Sequence, residues 1–313
     1  MILSLVNNWK DYGGKDKYVE WANQHYHNLN PNIRNLTEDD FFVDSLTKDA
    51  DEKQYDSRVA YKDDPTILAW ELMNEPRCPS DPTGSNLQVW LKEMAAYVKS
   101  IDNKHLLEIG LEGFYGESRQ QYNPNSNLDR TDFIANNQIP DIDFATIHLY
   151  PESWLPSTNK TEAEQLAFVD KWIESHVLDS NAVLEKPIVI SEFGKSYKLE
   201  GYSLDKRNKY FQKIYDDVYN SARLGGPFVG GLFWQLMTLG MDNMADGYNV
   251  VLEQSPSTAS IIAEQSKGLS SLRGQACKWA MLRLLLGIYR VNFDAVFDER
   301  DKFGTAGVAI NLK

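Results

Sequence analysis

The chain has 313 residues, 42% of them hydrophobic, and a formal net charge of −13. That is enough for one large domain or two ordinary ones with a real core, and so acidic a surface is a poor partner for nucleic acid or an anionic membrane. Two cysteines, Cys78 and Cys277, make no disulfide framework, and no apolar window is long enough to span a bilayer. The opening Met-Ile-Leu-Ser-Leu-Val-Asn-Asn-Trp lacks the basic head, long apolar middle and cleavage site of a signal peptide and reads as a strand entered directly.

In chain order, short apolar runs bounded by turn residues predict strands at Ile2–Val6, Ile67–Met73, Leu106–Gly110, Phe144–Leu149, Ile188–Ser191 and Val229–Trp234. Between the later runs, apolar residues fall at helical spacing over Leu87–Ile101, Glu162–Val177 and Arg207–Ala222. From residue 67 the strands recur about every 40 residues, the rhythm of βαβ units in a parallel sheet. The expected fold class is α/β, a (β/α)8 TIM-barrel type, with a doubly wound sheet second. No Gly-x-Gly-x-x-Gly or Walker loop supports the second option. Asp39–Asp64 is rich in Asp and Lys with a thin apolar stripe, so any helix there is weak. After Leu272 the pattern changes. Residues 1–272 are expected to form the barrel and 273–313 a divergent C-terminal tail.

Two of these runs end in glutamate. Glu75 closes Ile67-Leu-Ala-Trp-Glu-Leu-Met-Asn-Glu-Pro76, and Glu192 lies in Pro187-Ile-Val-Ile-Ser-Glu-Phe-Gly194. A carboxylate at the exit of a parallel strand points into the space where such proteins build active sites. One such glutamate is common as a helix cap; two supply the acid-base pair that glycosidic-bond chemistry requires. Strand alternation puts Ala69, Glu71, Met73 and Glu75 on one face and Trp70, Leu72 and Asn74 on the other. His148 and Tyr150, two apart in Thr146-Ile-His-Leu-Tyr-Pro151, share a face at another strand end, and Trp234 ends the last strand. A tyrosine hydroxyl beside a carboxylate depresses its pKa, and an exposed indole suits stacking on a sugar face. His25-x-His27 has no acidic or cysteine partner in register, so no metal site is expected.

Longer blocks carry a resemblance. Leu3-Ser-Leu-Val-Asn-Asn-Trp-Lys-Asp-Tyr-Gly-Gly14, Tyr61-Lys-Asp-Asp-Pro-Thr66 running into Trp70-Glu-Leu-Met-Asn-Glu-Pro-Arg-Cys78, Glu108-Ile-Gly-Leu-Glu-Gly-Phe-Tyr-Gly116 and Ser255-Pro-Ser-Thr258 resemble glycoside hydrolase family 5, in its plant endo-β-1,4-mannanase branch. The resemblance runs from residue 1 to about residue 272. It implies endo-hydrolysis of β-1,4-mannosidic bonds in mannan, glucomannan or galactomannan by retaining double displacement. Glu192 would be the nucleophile and Glu75, its pKa raised, the acid/base. The two carboxyls would stand about 5–5.5 Å apart. The resemblance further implies that Asn74 binds near the 2-hydroxyl, His148 and Tyr150 orient the carboxylates, Trp234 stacks under the sugar at the cleavage point, and Trp9 adds a sugar contact.

No cofactor or metal is implied, the partner is a mannan-type polysaccharide, and the setting is extracellular, at the cell wall. The first run resembles the family's third strand. Six strands are therefore expected, without the first two and without the arginine that holds the family's nucleophile. An open ring of that kind leaves as one alternative an inactive pseudo-enzyme or glycan-binding remnant. A second is a β-1,4-glucanase of the same clan, which differs in the pocket around the 2-hydroxyl and which spacing alone does not separate from a mannanase.

Overall fold

The computed structural model describes residues 1–10, 14–44, 61–126, 130–155 and 161–272. In chain order these form β1 (Ile2–Ser4), α1 (Lys15–Leu29), β2 (Ala69–Glu71), α2 (Ser85–Ile101), β3 (Leu106–Glu108), α3 (Phe133–Asn137), β4 (Ala145–Leu149), α4 (Pro151–Trp154), α5 (Glu162–Asp179), β5 (Ile188–Phe193), α6 (Leu204–Arg223), β6 (Phe228–Gly231), β7 (Leu236–Met237), β8 (Val250–Val251) and α7 (Pro256–Ser271). All six expected strands are present, and the three expected helices are α2, α5 and α6. The tail at 273–313 lies outside the described residues.

Three differences have physical reasons. Helix α1 was not expected because its face is mostly polar; only Lys15, Val19 and Ala22 are buried. Helix α7 is rich in Ser and Thr and buries only Thr258 and Leu269, so its apolar stripe is too sparse to read. The two-residue strands β7 and β8 are too short to leave a periodic signal. Within Asp39–Asp64, the described part holds only single 3-10 turns at Glu38–Phe42 and Tyr61–Asp63.

Every strand pairing is parallel. β1 pairs with β2 and β2 with β3; β4 pairs with β5 and β5 with β6. Backbone bonds from Asp143 N–H to the Leu107 carbonyl and from His148 N–H to the Glu112 carbonyl join the β3 segment to β4, so the two sheets form one arc. Among the described residues β1 pairs only with β2, and β6 only with β5.

Inside the arc, Ala69, Phe144, Val189 and Val229 pack together with Leu68. Outside it the helices dock. Phe211, Ile214 and Val218 of α6 and Trp172 of α5 are fully or almost fully buried against Ile188, Ile190 and Phe193 of β5. Helix α5 starts on a capping box, Thr161 with Glu164, which satisfies two orphan N–H groups of the first turn.

The alternation expected along the second strand holds only to Glu71. Trp70, Leu72 and Met73 all join the outer cluster with Leu107 and Ile109. Regular strand geometry ends at Glu71, though pairing continues through Met73 N–H to the Ile109 carbonyl and Glu75 N–H to the Gly110 carbonyl. Glu75 itself lies at φ 51°, a left-handed conformation that costs a non-glycine residue energy. It reaches the cleft through that turn, not by strand parity.

Candidate active site

The end of β2, the ends of β4 and β5, and the loop after β1 converge on one point. Parallel pairing sets His148 opposite Glu192 in register. Oε1 of Glu75 lies 2.9 Å from Nδ1 of His148, and Oε2 of Glu192 lies 3.7 Å from the same nitrogen. One oxygen of each carboxyl and a ring nitrogen of His148 all lie within 4.8 Å of one another. The hydroxyl of Tyr150 donates to Oε2 of Glu192 at 2.8 Å. Trp9 reaches across from the loop after β1 and its indole N–H donates to Oε2 of Glu75 at 2.6 Å. Sequence thus brings five of its seven candidates, Glu75, Glu192, His148, Tyr150 and Trp9, into one contact network.

The other two sit at its margin. Asn74 donates its side-chain amide to Oδ1 of Asn7 at 3.2 Å and its N–H to the Val6 carbonyl, so it is fixed by the neighbouring strand end. Trp234 is half-buried; its backbone N–H bonds the Phe193 carbonyl and its indole N–H donates to Asp246 at 2.6 Å. The Trp234–Gln235 peptide is cis. Close packing here demands a glycine: a Cβ at Gly194 would stand 2.6 Å from the Trp234 carbonyl oxygen.

Three residues without a role in the sequence reading complete the surroundings. Arg77 forms a two-pronged ion pair with Glu112, at 2.7 and 2.6 Å from one guanidinium nitrogen, and lies over the Trp9 ring at 5.3 Å. Tyr248 packs edge-on against Tyr150 and bonds Ser153 through its hydroxyl. Arg77 and Glu112 lie inside the blocks quoted above. Their pairing across the fold leaves no trace in either block, and that is why it was missed.

The charges are strongly coupled. His148 is completely buried. Burial alone would lower its pKa, but the carboxylates of Glu192, Glu75 and Glu112 around it raise it to about 9. It is therefore an imidazolium between two glutamates. Glu75 is pushed up by burial, yet its bonds from His148 and Trp9 outweigh that and hold it below the usual range. Glu192 is raised, first by burial and then by Glu75, against the pull of His148 and Tyr150. The direction at Glu75 reverses the expectation of a raised acid/base, and at Glu192 burial and the charge of Glu75 outweigh the lowering that the Tyr150 hydroxyl supplies. The cause is the place of the His148 ring: its Nδ1 lies 2.9 Å from Glu75 and 3.7 Å from Glu192. Glu112 is raised to about 7, chiefly by burial and by the charge of Glu75.

The donor set Glu75–His148–Glu192 has the composition of a metal site, and within it Nδ1 of His148 stands at hydrogen-bond distance from Oε1 of Glu75. Of the His25-x-His27 pair, His27 is bonded to Asn35 and to the Pro31 carbonyl and points into its own loop.

Two carboxyls this close, at the exits of parallel strands and flanked by aromatic side chains, define a glycoside hydrolase of the two-carboxylate kind. The chain belongs to the GH family 5 β-mannosidase-like family, whose family model matches residues 1–251. It is 51% identical to mannan endo-1,4-beta-mannosidase 4 of Solanum lycopersicum, over 87% of this chain and 68% of that protein. It is 53% identical to mannan endo-1,4-beta-mannosidase 1 of Arabidopsis thaliana, over 87% of this chain and 67% of that protein. Among solved structures it resembles the endo-beta-1,4-mannanase of Thermotoga petrophila, with a TM-score of 0.69, 29% identity and coverage of 88% of this chain and 59% of that one. The endo-1,4-beta-mannanase of Rhizomucor miehei gives a TM-score of 0.64 at 28% identity, over 85% of this chain and 71% of that one. The fold is thus of the (β/α)8 barrel type. The chain spans about two thirds of the length of these curated relatives and 59% of the Thermotoga chain. Among the described residues no helix is long and apolar enough to cross a membrane.

Proposed function

We propose that this chain hydrolyses internal β-1,4-mannosidic bonds of mannan, glucomannan or galactomannan with retention of configuration, and that residues 1–272 act as one barrel unit. The observation that carries this is the cluster of Glu75, His148 and Glu192 within 4.8 Å. That spacing suits direct attack on the sugar and leaves no room for the water an inverting enzyme holds between carboxyls about 6.5–9.5 Å apart. The names of the curated relatives favour mannan over the glucan alternative.

In the first step an oxygen of Glu192 bonds to the anomeric carbon. The glycosidic bond breaks and Glu75 gives its proton to the departing oxygen, so the leaving sugar is a neutral alcohol. In the second, Glu75 takes a proton from water, whose oxygen displaces Glu192 and restores both carboxyls. The Tyr150 hydroxyl, at 2.8 Å, steadies Glu192 in both steps. The first step needs a proton on Glu75, whose Oε1 lies 2.9 Å from Nδ1 of His148. A sugar that displaces the Trp9 N–H and excludes water removes part of what keeps Glu75 ionised and so raises its pKa toward the acid form. Asn74, Trp234 and Trp9 are assigned to sugar contact, and an extracellular, cell-wall setting follows the family resemblance.

The test is hydrolysis of soluble mannan by the purified chain and its Glu75→Gln and Glu192→Gln variants. Loss of turnover in both variants is expected; retained turnover in both refutes the assignment. The lowered Glu75 and raised Glu192 favour one second reading, a glycan binder without turnover. Binding of mannan oligosaccharides with no hydrolysis by the parent chain would select it.

A further inference from the structure

Beneath Glu75 and Glu192 a second pair of carboxyls faces the interior of the arc. Glu71 on β2 and Glu108 on β3 are register partners on adjacent parallel strands, so their side chains leave the sheet on the same side about 4.8 Å apart. Both are buried, with 8% and 0% of their surface exposed. Oε2 of Glu108 accepts the Gly110 N–H at 2.5 Å and the Thr146 hydroxyl at 3.0 Å. Its Oε1 is buried with no donor among the described residues, while the Glu71 carboxyl is in hydrogen-bond contact with Glu108. Carboxylates only accept. Two in contact, without a cation among the described residues and out of water, do not both stay ionised. A single shared proton satisfies Oε1 and removes one of the two charges.

We propose that Glu71 and Glu108 hold one proton between them, bound at the otherwise unpartnered Oε1 of Glu108 and donated toward Glu71. Burial, then the charge of Glu71, drives Glu108 well above the ordinary carboxylate range. Glu108 faces Glu71 from β2 and the neutral Thr146 from β4. The pair thus keeps one buried charge where two would repel.

Carboxyl-carbon NMR titration of the full chain, labelled at glutamate, tests this without depending on turnover. The signal removed by Glu108→Gln is expected at a protonated carboxylic-acid position at pH 7; an ionised position there overturns the shared proton. Glu108→Gln exchanges a neutral acid for a neutral amide, so the Glu192 midpoint is expected to stay in place. A fall in that midpoint would mean Glu108 was charged and overturns the proposal. Glu71→Gln removes the neighbouring carboxyl, so the Glu108 signal is expected to titrate at lower pH than in the parent chain. An unmoved Glu108 signal in the folded variant overturns the shared proton. Absence of mannan hydrolysis by a parent chain that shows these titrations would count against the proposed activity and leave the shared proton standing.

Discussion

Trp9→Phe isolates one hydrogen bond at the candidate acid/base. The indole N–H of Trp9 donates to Oε2 of Glu75 at 2.6 Å, and phenylalanine keeps a ring for Arg77, 5.3 Å above it, while deleting the donor. A hydrogen bond to a charged group contributes about 1.5–3 kcal/mol when shielded. Trp9 is 46% exposed, so the lower end applies, about 1.5 kcal/mol, or about one pH unit at 1.36 kcal/mol per unit. The bond stabilises only the carboxylate, so its loss raises the pKa of Glu75. The acid form needed for the first step then survives to higher pH, and the basic limb of kcat/KM moves up by about one unit. The assay is initial-rate hydrolysis of soluble mannan across the pH range. Any loss of sugar contact at Trp9 scales the whole profile without moving its limbs. An unmoved or lowered basic limb in a folded variant refutes the reasoning.

Other expectations follow from the same contacts. Tyr150→Phe deletes the donor to Glu192 and is expected to cut kcat by about tenfold to a hundredfold, corresponding to about 1.5–3 kcal/mol; an unchanged kcat removes Tyr150 from the mechanism. His148 is raised from 6.5 to about 9, so its protonation stabilises the fold fully below about pH 6.5. That contribution is lost as pH rises through about 9, and denaturant midpoints should fall across this window in the parent chain and stay flatter in His148→Gln. Phe211→Ala empties a fully buried site between α6 and β5 and is expected to cost about 3–5 kcal/mol, read as a lower urea midpoint at unchanged slope. Glu75→Gln is expected to lose polysaccharide hydrolysis yet form a mannosyl-enzyme from a substrate whose leaving group needs no proton. No covalent adduct from such a substrate would count against Glu192 as nucleophile.

Much of the architecture was legible because its signals are local. Each arc strand is an apolar run with a turn after it, and α2, α5 and α6 carry a dense stripe such as Leu87, Trp90, Leu91 and Ala95. Helices α1 and α7 bury too few apolar residues to announce themselves. At the site, residue types at strand ends sufficed to gather Glu75, Glu192, His148 and Tyr150. Parity gave the right face for Glu75 for the wrong reason, since the backbone leaves the strand at Glu71 and turns through φ 51°. Sequence could not show which carboxyl is lowered and which raised. That depends on a difference between 2.9 and 3.7 Å around His148 and on an indole arriving from the β1 loop. The Arg77–Glu112 pair and the Glu71–Glu108 pair are likewise facts of register and packing between strands.

The central claim is that Glu75 and Glu192 form a close, retaining carboxylate pair. Proton NMR of the anomeric signals during the first minutes of mannan-oligosaccharide hydrolysis tests it most directly, before mutarotation mixes the products. The account predicts that the new reducing ends appear first as the β anomer and only later equilibrate to α. Initial release of the α anomer would mean single-step inversion and would contradict the account.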